Sequence, residues 1–130
     1  MGDKAERLAG AMELVSRGDV EGFGDLILAD DVTWHWPGRS SVSGEYNGRA
    51  EVLDLLRGFH SLTDNRLNVV PLDLLEGEDH LMSFTHVTAE SEDGTLDVVM
   101  ADAMRFDDSG RVVEFWTLSN DQEAVDVFIG

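Results

Sequence analysis

Asp102 stands in a setting that gives a carboxyl group chemistry. Across residues 96–106, Leu96, Val98, Met100, Met104 and Phe106 alternate with Asp97, Val99, Ala101, Ala103 and Arg105, so strand geometry puts the large apolar side chains on one face. Asp102 falls in the middle of that face. A carboxyl group there is partly desolvated, which raises its pKa and suits it to taking or delivering a proton near neutral pH. A structural aspartate, hydrogen-bonded to an indole or a backbone amide, is the other reading of the same position.

Two histidines are placed to assist. In the preceding segment Met82, Phe84 and His86 share one phase while Ser83, Thr85 and Val87 share the other. The turns Glu92-Asp93-Gly94 and Asp108-Ser109-Gly110 each end in a glycine suited to a three-residue loop with a bulge, which predicts the pairs Ser91–Thr95 and Asp107–Arg111. Counting from those pairs sets Phe84 and Trp116 opposite Asp102 on its two sides. It sets His86 opposite Met100, diagonal to Asp102 at about 7–8 Å. His35, flanked by Trp34 and Trp36 in the other phase, is the second histidine expected to position or share the proton. The expected catalytic set is Asp102, His86 and His35. The expected pocket comprises Trp34, Trp36, Tyr46, Phe59, Met82, Phe84, Met100, Met104 and Trp116, although alternation alone leaves open whether the tryptophans or His35 face it. His60 and His80 read as surface residues, near a helix end and a turn.

The elements that hold these residues follow from periodicity and caps. Asp3 with Glu6 resembles a capping box, and Leu8, Ala11, Met12 and Val15 recur at helical spacing until Gly18. Asp19 caps a second, shorter helix carrying Val20, Phe23 and Ile27. Residues 32–36 form a strand ended by Pro37-Gly38, and a loop over 38–48 leads to a third helix with Val52, Leu55, Leu56 and Phe59 on one face. From Leu67 four apolar segments separated by acidic, glycine-containing turns predict an antiparallel meander. Asn120 with Glu123 caps a brief last helix. Helices first and a meander afterwards is an α+β pattern, with helices covering one face of a curved antiparallel sheet around an apolar pocket, in one domain over residues 1–130.

Composition excludes several partners. The chain has 27 acidic and 9 basic residues and a formal charge of -18, which repels nucleic acid and anionic membrane surfaces. It has no cysteine, so no disulfide or thiolate metal site is expected, and cytoplasmic residence is the expectation. Charged residues Asp3, Lys4, Glu6 and Arg7 near the N-terminus argue against an export signal, and no apolar run approaches the roughly 18 residues of a membrane span. There is no Walker loop, dinucleotide glycine fingerprint, paired-histidine metal motif or calcium loop. Catalysis is expected to need neither cofactor nor metal.

The segments Asp30-Asp31-Val32-Thr33-Trp34-His35-Trp36-Pro37-Gly38, Gly44-Glu45-Tyr46-Asn47-Gly48, Asp102-Ala103-Met104-Arg105-Phe106 and Gly110-Arg111-Val112-Val113-Glu114-Phe115-Trp116, in this order of elements, resemble the SnoaL-like branch of the nuclear transport factor 2-like superfamily. The resemblance covers essentially the whole chain. It implies a cone-shaped, usually dimeric fold whose members include polyketide cyclases, ketosteroid isomerase, limonene-epoxide hydrolase and scytalone dehydratase. It also implies that Asp102 lines the pocket. The chain departs from the cyclases in having Thr117, not an acid, after the strand tryptophan, and from the epoxide hydrolases in placing Arg105 out of phase with Asp102.

These readings predict a cofactor-free acid–base enzyme that isomerises, cyclises, dehydrates or opens a small apolar oxygenated metabolite. Two other readings fit the same residues: a non-catalytic small-molecule-binding protein, and a dimeric interaction module. A homodimer is expected through the sheet face assigned to Ala101, Ala103, Thr85, Val87, Val113, Phe115 and Thr117.

Overall fold

The computed structural model describes residues 3–130. Helix α1 (Asp3–Ser16) buries Ala5, Leu8, Ala11, Met12 and Val15 along one side, and Gly18, at φ +80°, turns the chain out of it in a conformation that strains other residues. Asp19 caps α2 (Val20–Ile27), its carboxylate accepting the Gly22 N–H at 2.9 Å. Strand β1 (Leu28–Trp36) follows without a loop. It begins earlier than alternation indicates because its register shifts between Leu28 and Thr33, and such an irregularity breaks the two-residue period.

The 38–48 loop contains a strand of its own, β2 (Gly44–Asn47), too short and too exposed to announce itself by apolar alternation. Helix α3 (Arg49–Thr63), strands β3 (Leu67–Glu76), β4 (His80–Ser91), β5 (Gly94–Phe106) and β6 (Val112–Ser119), and helix α4 (Gln122–Ile129) complete the order. The α4 cap is Asp121, accepting the Ala124 N–H at 3.1 Å. Asn120, expected there, instead accepts the Val99 N–H at 3.0 Å.

The six strands form one curved, unclosed sheet in the order β2-β1-β6-β5-β4-β3. Strands β3 to β6 are the expected antiparallel meander. Strand β1 joins β6 in parallel, which the long connection through α3 and four strands permits. Helices α1 and α3 pack on the inner face, where the core runs from Leu8, Ile27 and Val52 to Val98, Met104 and Phe115.

Two registers differ from expectation by one residue. The β4–β5 hairpin turns through only Glu92 and Asp93, pairing Ser91 with Gly94 and not with Thr95. Consequently Ser83 lies opposite Asp102 and Thr85 opposite Met100, while Phe84 and His86 face the other way. At the β5–β6 turn the expected Asp107–Arg111 hydrogen bond does form, at 2.8 Å. A shift between Arg105 and Phe106 then leaves Val113 without a partner and brings Thr117, not Trp116, opposite Asp102. Met82, Phe84, His86 and Trp116 therefore occupy the outer face, and Thr85, Val87, Phe115 and Thr117, expected outside, are buried inside.

His60 also departs from expectation, because α3 lays it against α1 and leaves it only 6% exposed, whereas His80 is exposed as expected. Neither ring nitrogen of His60 has a well-formed hydrogen bond among the described residues. Burial holds its pKa below the ordinary 6.5, and the nearby Val15 backbone offsets this only in part. The unfolded chain thus binds a proton at His60 more readily than the folded one. The stability this residue leaves intact above pH 6.5 is lost as pH falls through the folded value. His60→Leu should flatten the fall in melting temperature between pH 7 and pH 5 relative to the parent, measured by thermal unfolding. A difference between the two proteins that does not change with pH would contradict this burial.

Candidate functional site

Between the helices and the inner sheet face lies a cavity of about 110 Å³, lined almost wholly by apolar side chains. A cavity of about 150 Å³ is known to accept benzene, so this one suits a single small ring or a short chain. Alternation along β1 sends both Trp34 and Trp36 into its wall, and Trp34 stacks on Phe115 with ring centroids 3.8 Å apart. Met12 from α1, Phe59 from α3 and Phe128 from α4 contribute further apolar surface.

Among the described residues, Asp102 is the only ionisable one in that lining. It is 8% exposed, and its surroundings are hydroxyls rather than cations. Thr117 Oγ1 donates to Asp102 Oδ1 at 2.9 Å, and the Trp34 indole N–H donates to the same Thr117 oxygen at 2.9 Å. Because Thr117 accepts from Trp34, its own proton is directed at the carboxylate. Ser83 Oγ reaches Asp102 Oδ2 only at 3.5 Å and lies 3.2 Å from Thr85 Oγ1. Burial is the dominant influence and raises the Asp102 pKa from 3.8 to about 6, against the opposing pull of the Thr117, Ser83 and Thr85 hydroxyls. The group is therefore mostly ionised at pH 7 yet close enough to its pKa to exchange a proton in either direction. Oδ2, with the weaker partner, is the oxygen with capacity to take it.

The expected site residues divide by face. Trp34, Trp36, Phe59 and Met100 join Asp102 in the cavity wall, while Met104 is fully buried beside it in the core. His86 pairs with Asp97 at 2.7 Å on the outer face. His35 bonds Glu114 at 2.8 Å, lies 3.6 Å from Glu45 and stacks over Trp116 at 5.7 Å, also outside. The bond from His35 is the main reason the Glu114 pKa is lowered. Neither histidine shares the face of Asp102, so neither can share its proton directly. Met82, Phe84 and Trp116 leave the pocket with the register shifts. Tyr46 lies in an adjoining outer groove with Phe59 and Leu62, its hydroxyl donating to the Val42 carbonyl. Sequence reasoning missed Thr117, Ser83 and Thr85, and their signal was present as hydroxyl residues in the phase taken to face outward.

The SnoaL-like domain family profile matches residues 8–115. No protein of curated function matches the chain. Among solved structures, Bal32a from a soil-derived mobile gene cassette is 25% identical, with a TM-score of 0.91 over 98% of this chain and 96% of that one. A nuclear transport factor 2-like protein of unknown function from Burkholderia pseudomallei is 19% identical, with a TM-score of 0.85 over 100% of both chains. A protein described as a SnoaL-like polyketide cyclase from a Jannaschia species is 13% identical, with a TM-score of 0.78 over 97% of this chain and 90% of that one.

Asp102→Asn keeps the shape and the Thr117 hydrogen bond but removes the charge. A carboxyl whose folded pKa is raised contributes stability that is complete below pH 3.8 and lost as pH rises through about 6. The substitution should therefore stabilise the fold at pH 7 by up to roughly 3 kcal/mol, with the advantage gone near pH 3.5. Urea unfolding at the two pH values measures this. An equally large gain at both would disprove the burial of the charge.

Proposed function

The chain belongs to the SnoaL-like domain family, and from that premise we propose that it is a cofactor-free acid–base enzyme acting on a compact, largely apolar, oxygenated metabolite. One observation carries the reading: a buried carboxyl with its pKa raised to about 6 is the sole ionisable group among the described residues that line an apolar cavity. Such a group removes a proton from a carbon beside a carbonyl and returns it at another carbon, which is a net isomerisation. The same transfer supports ring closure or loss of water. A cavity of about 110 Å³ favours small substrates over multi-ring ones, and the description of one neighbour as a SnoaL-like polyketide cyclase is in keeping with the reading. Incubating the protein with a panel of small cyclic enones and following proton exchange and product by NMR tests the proposal. Asp102→Asn should lower the rate by about 10²–10⁴-fold while affinity changes little. Ligand bound and recovered unchanged, with no exchange at any carbon, would instead identify a binding protein, a reading favoured by the nearly unbroken apolar lining.

We further propose that a second copy covers the outer sheet face, on residues that replace most of those first assigned to it. Met82, Phe84, Ala101, Ala103, Trp116 and Leu118 lie there, and of these Met82, Phe84 and Leu118 are substantially exposed. Around them His86 contacts Asp97 and both His35 and Arg105 contact Glu114, while Asp73, opposite Phe84, has no ion-pair partner among the described residues. A chain of charge -18 can approach its own copy only where its carboxylates are few or neutralised, and this face meets that condition. No helix among the described residues is long and apolar enough to cross a membrane. Light scattering at tens of micromolar protein should give twice the chain mass, and Phe84→Glu should halve it. A monomeric parent would contradict the proposal.

A further inference from the structure

The inner cavity and the outer groove beside Tyr46 share a wall. Phe59, Leu62 and Ile129 line both spaces, and among the described residues no other side chain does. The groove is the wider space, about 460 Å³ against about 110 Å³, and it opens between α3 and the 38–48 loop. Most of the cavity wall is deep, with Leu8, Val87 and Phe115 only 1%, 6% and 3% exposed, whereas Leu62 is 39% exposed. The three shared side chains differ in how firmly they are held. Phe59 packs against Trp36, the rings tilted at 46° with centroids 4.8 Å apart. Ile129 sits in the last turn of α4, a helix whose anchor in the core is Val125. Past that anchor α4 is tied to the 38–48 loop by two hydrogen bonds, from the Arg39 N–H to Asp126 Oδ2 at 3.0 Å and from the Ser41 N–H to the Gly130 carbonyl at 2.8 Å. Arg39, Ser41 and Gly130 are exposed, so water can replace either partner at small net cost. Entry through the sheet would break strand pairing, and entry beside α1 would part the buried core. Lifting the last turn of α4 does neither.

We propose that Phe59, Leu62 and Ile129 form the gate of the cavity: the ligand enters from the outer groove, and Ile129 with Leu62 sets how long a molecule the protein takes. The inference rests on the cavity being the site proposed above, and it adds the residues that select the ligand by size. A compact ring with a one-carbon substituent fits behind the closed gate. A longer chain on the same ring has to displace Ile129 or Leu62 for as long as it is bound, and the packing those side chains lose offsets what the chain gains. Truncating either gate residue joins the two spaces, so that the chain runs out past Val42 and Leu55 in the groove while the ring stays beside Asp102. Truncating a wall residue that does not border the groove enlarges the cavity without opening that path. Leu96 of β5, 8% exposed, is such a residue. None of the gate residues titrates, so selection by length does not change with pH, unlike proton transfer at Asp102.

Cyclopentylmethanol and 4-cyclopentylbutan-1-ol, which share a ring and differ only in chain length, provide the test, with binding followed by NMR titration. In the unmodified protein the longer alcohol should bind no more tightly than the shorter. In Ile129→Ala the longer alcohol should gain at least about tenfold, since each methylene group taken out of water is worth about fourfold in affinity, and the shorter should change by no more than about twofold. Leu62→Ala, a truncation at an exposed position that spares the core, should give the same selective gain. Leu96→Ala should not. Exchange of the shorter alcohol, read from line shapes, should quicken several-fold in the two gate variants only. Equal gains in Leu96→Ala, or no gain in either gate variant, would overturn the gate and leave the site standing, since the shorter alcohol would still shift the Asp102 carboxyl signal. Failure of the shorter alcohol to shift that signal in any of these proteins would remove the site, and the gate with it.

Discussion

Placing a carboxyl group on the inner face of a sheet among methionine, tryptophan and phenylalanine opposes folding unless something compensates its lost hydration. Here the compensation is partial. Trp34 orients Thr117, Thr117 donates to Asp102, and Ser83 stands at a longer distance on the other side. The hydroxyls hold the carboxylate in place without the full neutralisation an arginine would give, so its pKa stays near 6. Much of the local architecture serves this arrangement. Small residues on the inner side of β4, Ser83, Thr85 and Ala89, leave room for the hydroxyl cluster and the cavity. Larger ones would fill both.

The same substitution of small for large explains what could be read from the sequence. Segment order, caps at Asp19 and the turn at Gly18, and the phase of β5 were legible, because in each a strong local signal agreed with the tertiary outcome. Asp102 was legible for that reason: its strand alternates bulky and small residues, and bulky means buried. On β4 the rule inverts, since Met82 and Phe84 are bulky and exposed while Ser83 and Thr85 are small and buried. Alternation shows two phases and does not say which is inside. Hydrophobicity decided wrongly there, because the outer face of this sheet is itself apolar. On β6 the turn was read correctly, with the Asp107–Arg111 bond as expected, but one unpaired residue at Val113 reversed every side chain beyond it. A bulge of that kind leaves no compositional mark. The exchange of faces removed both histidines from the site and brought in three hydroxyls.

Membership of the SnoaL-like family sets the scaffold, and the scaffold alone names no reaction. What distinguishes this chain is the content of its cavity: one tunable carboxyl, its Thr117 partner and walls that are almost wholly apolar elsewhere. Thr117, which stands where the resemblance to the cyclases would place an acid, is the residue that aims a proton at Asp102 instead of competing for one. No second carboxylate lines the cavity among the described residues, which leaves Asp102 as its single ionisable group there. The outer face has the opposite character, with Met82, Phe84 and Leu118 exposed and with His86 against Asp97 and His35 against Glu114 beside them.

The proposed acid–base role rests on the ionisation of Asp102, which can be measured without a substrate. Carbon-detected NMR titration of the aspartate carboxyls, with the Asp102 signal identified by its loss in Asp102→Asn, gives the value directly. A midpoint near 6, about two pH units above an ordinary aspartate, is the result predicted by burial among apolar side chains with only hydroxyl partners. A midpoint at or below 3.8 would mean a solvated or strongly paired carboxylate, and the acid–base role assigned to this residue would have to be abandoned.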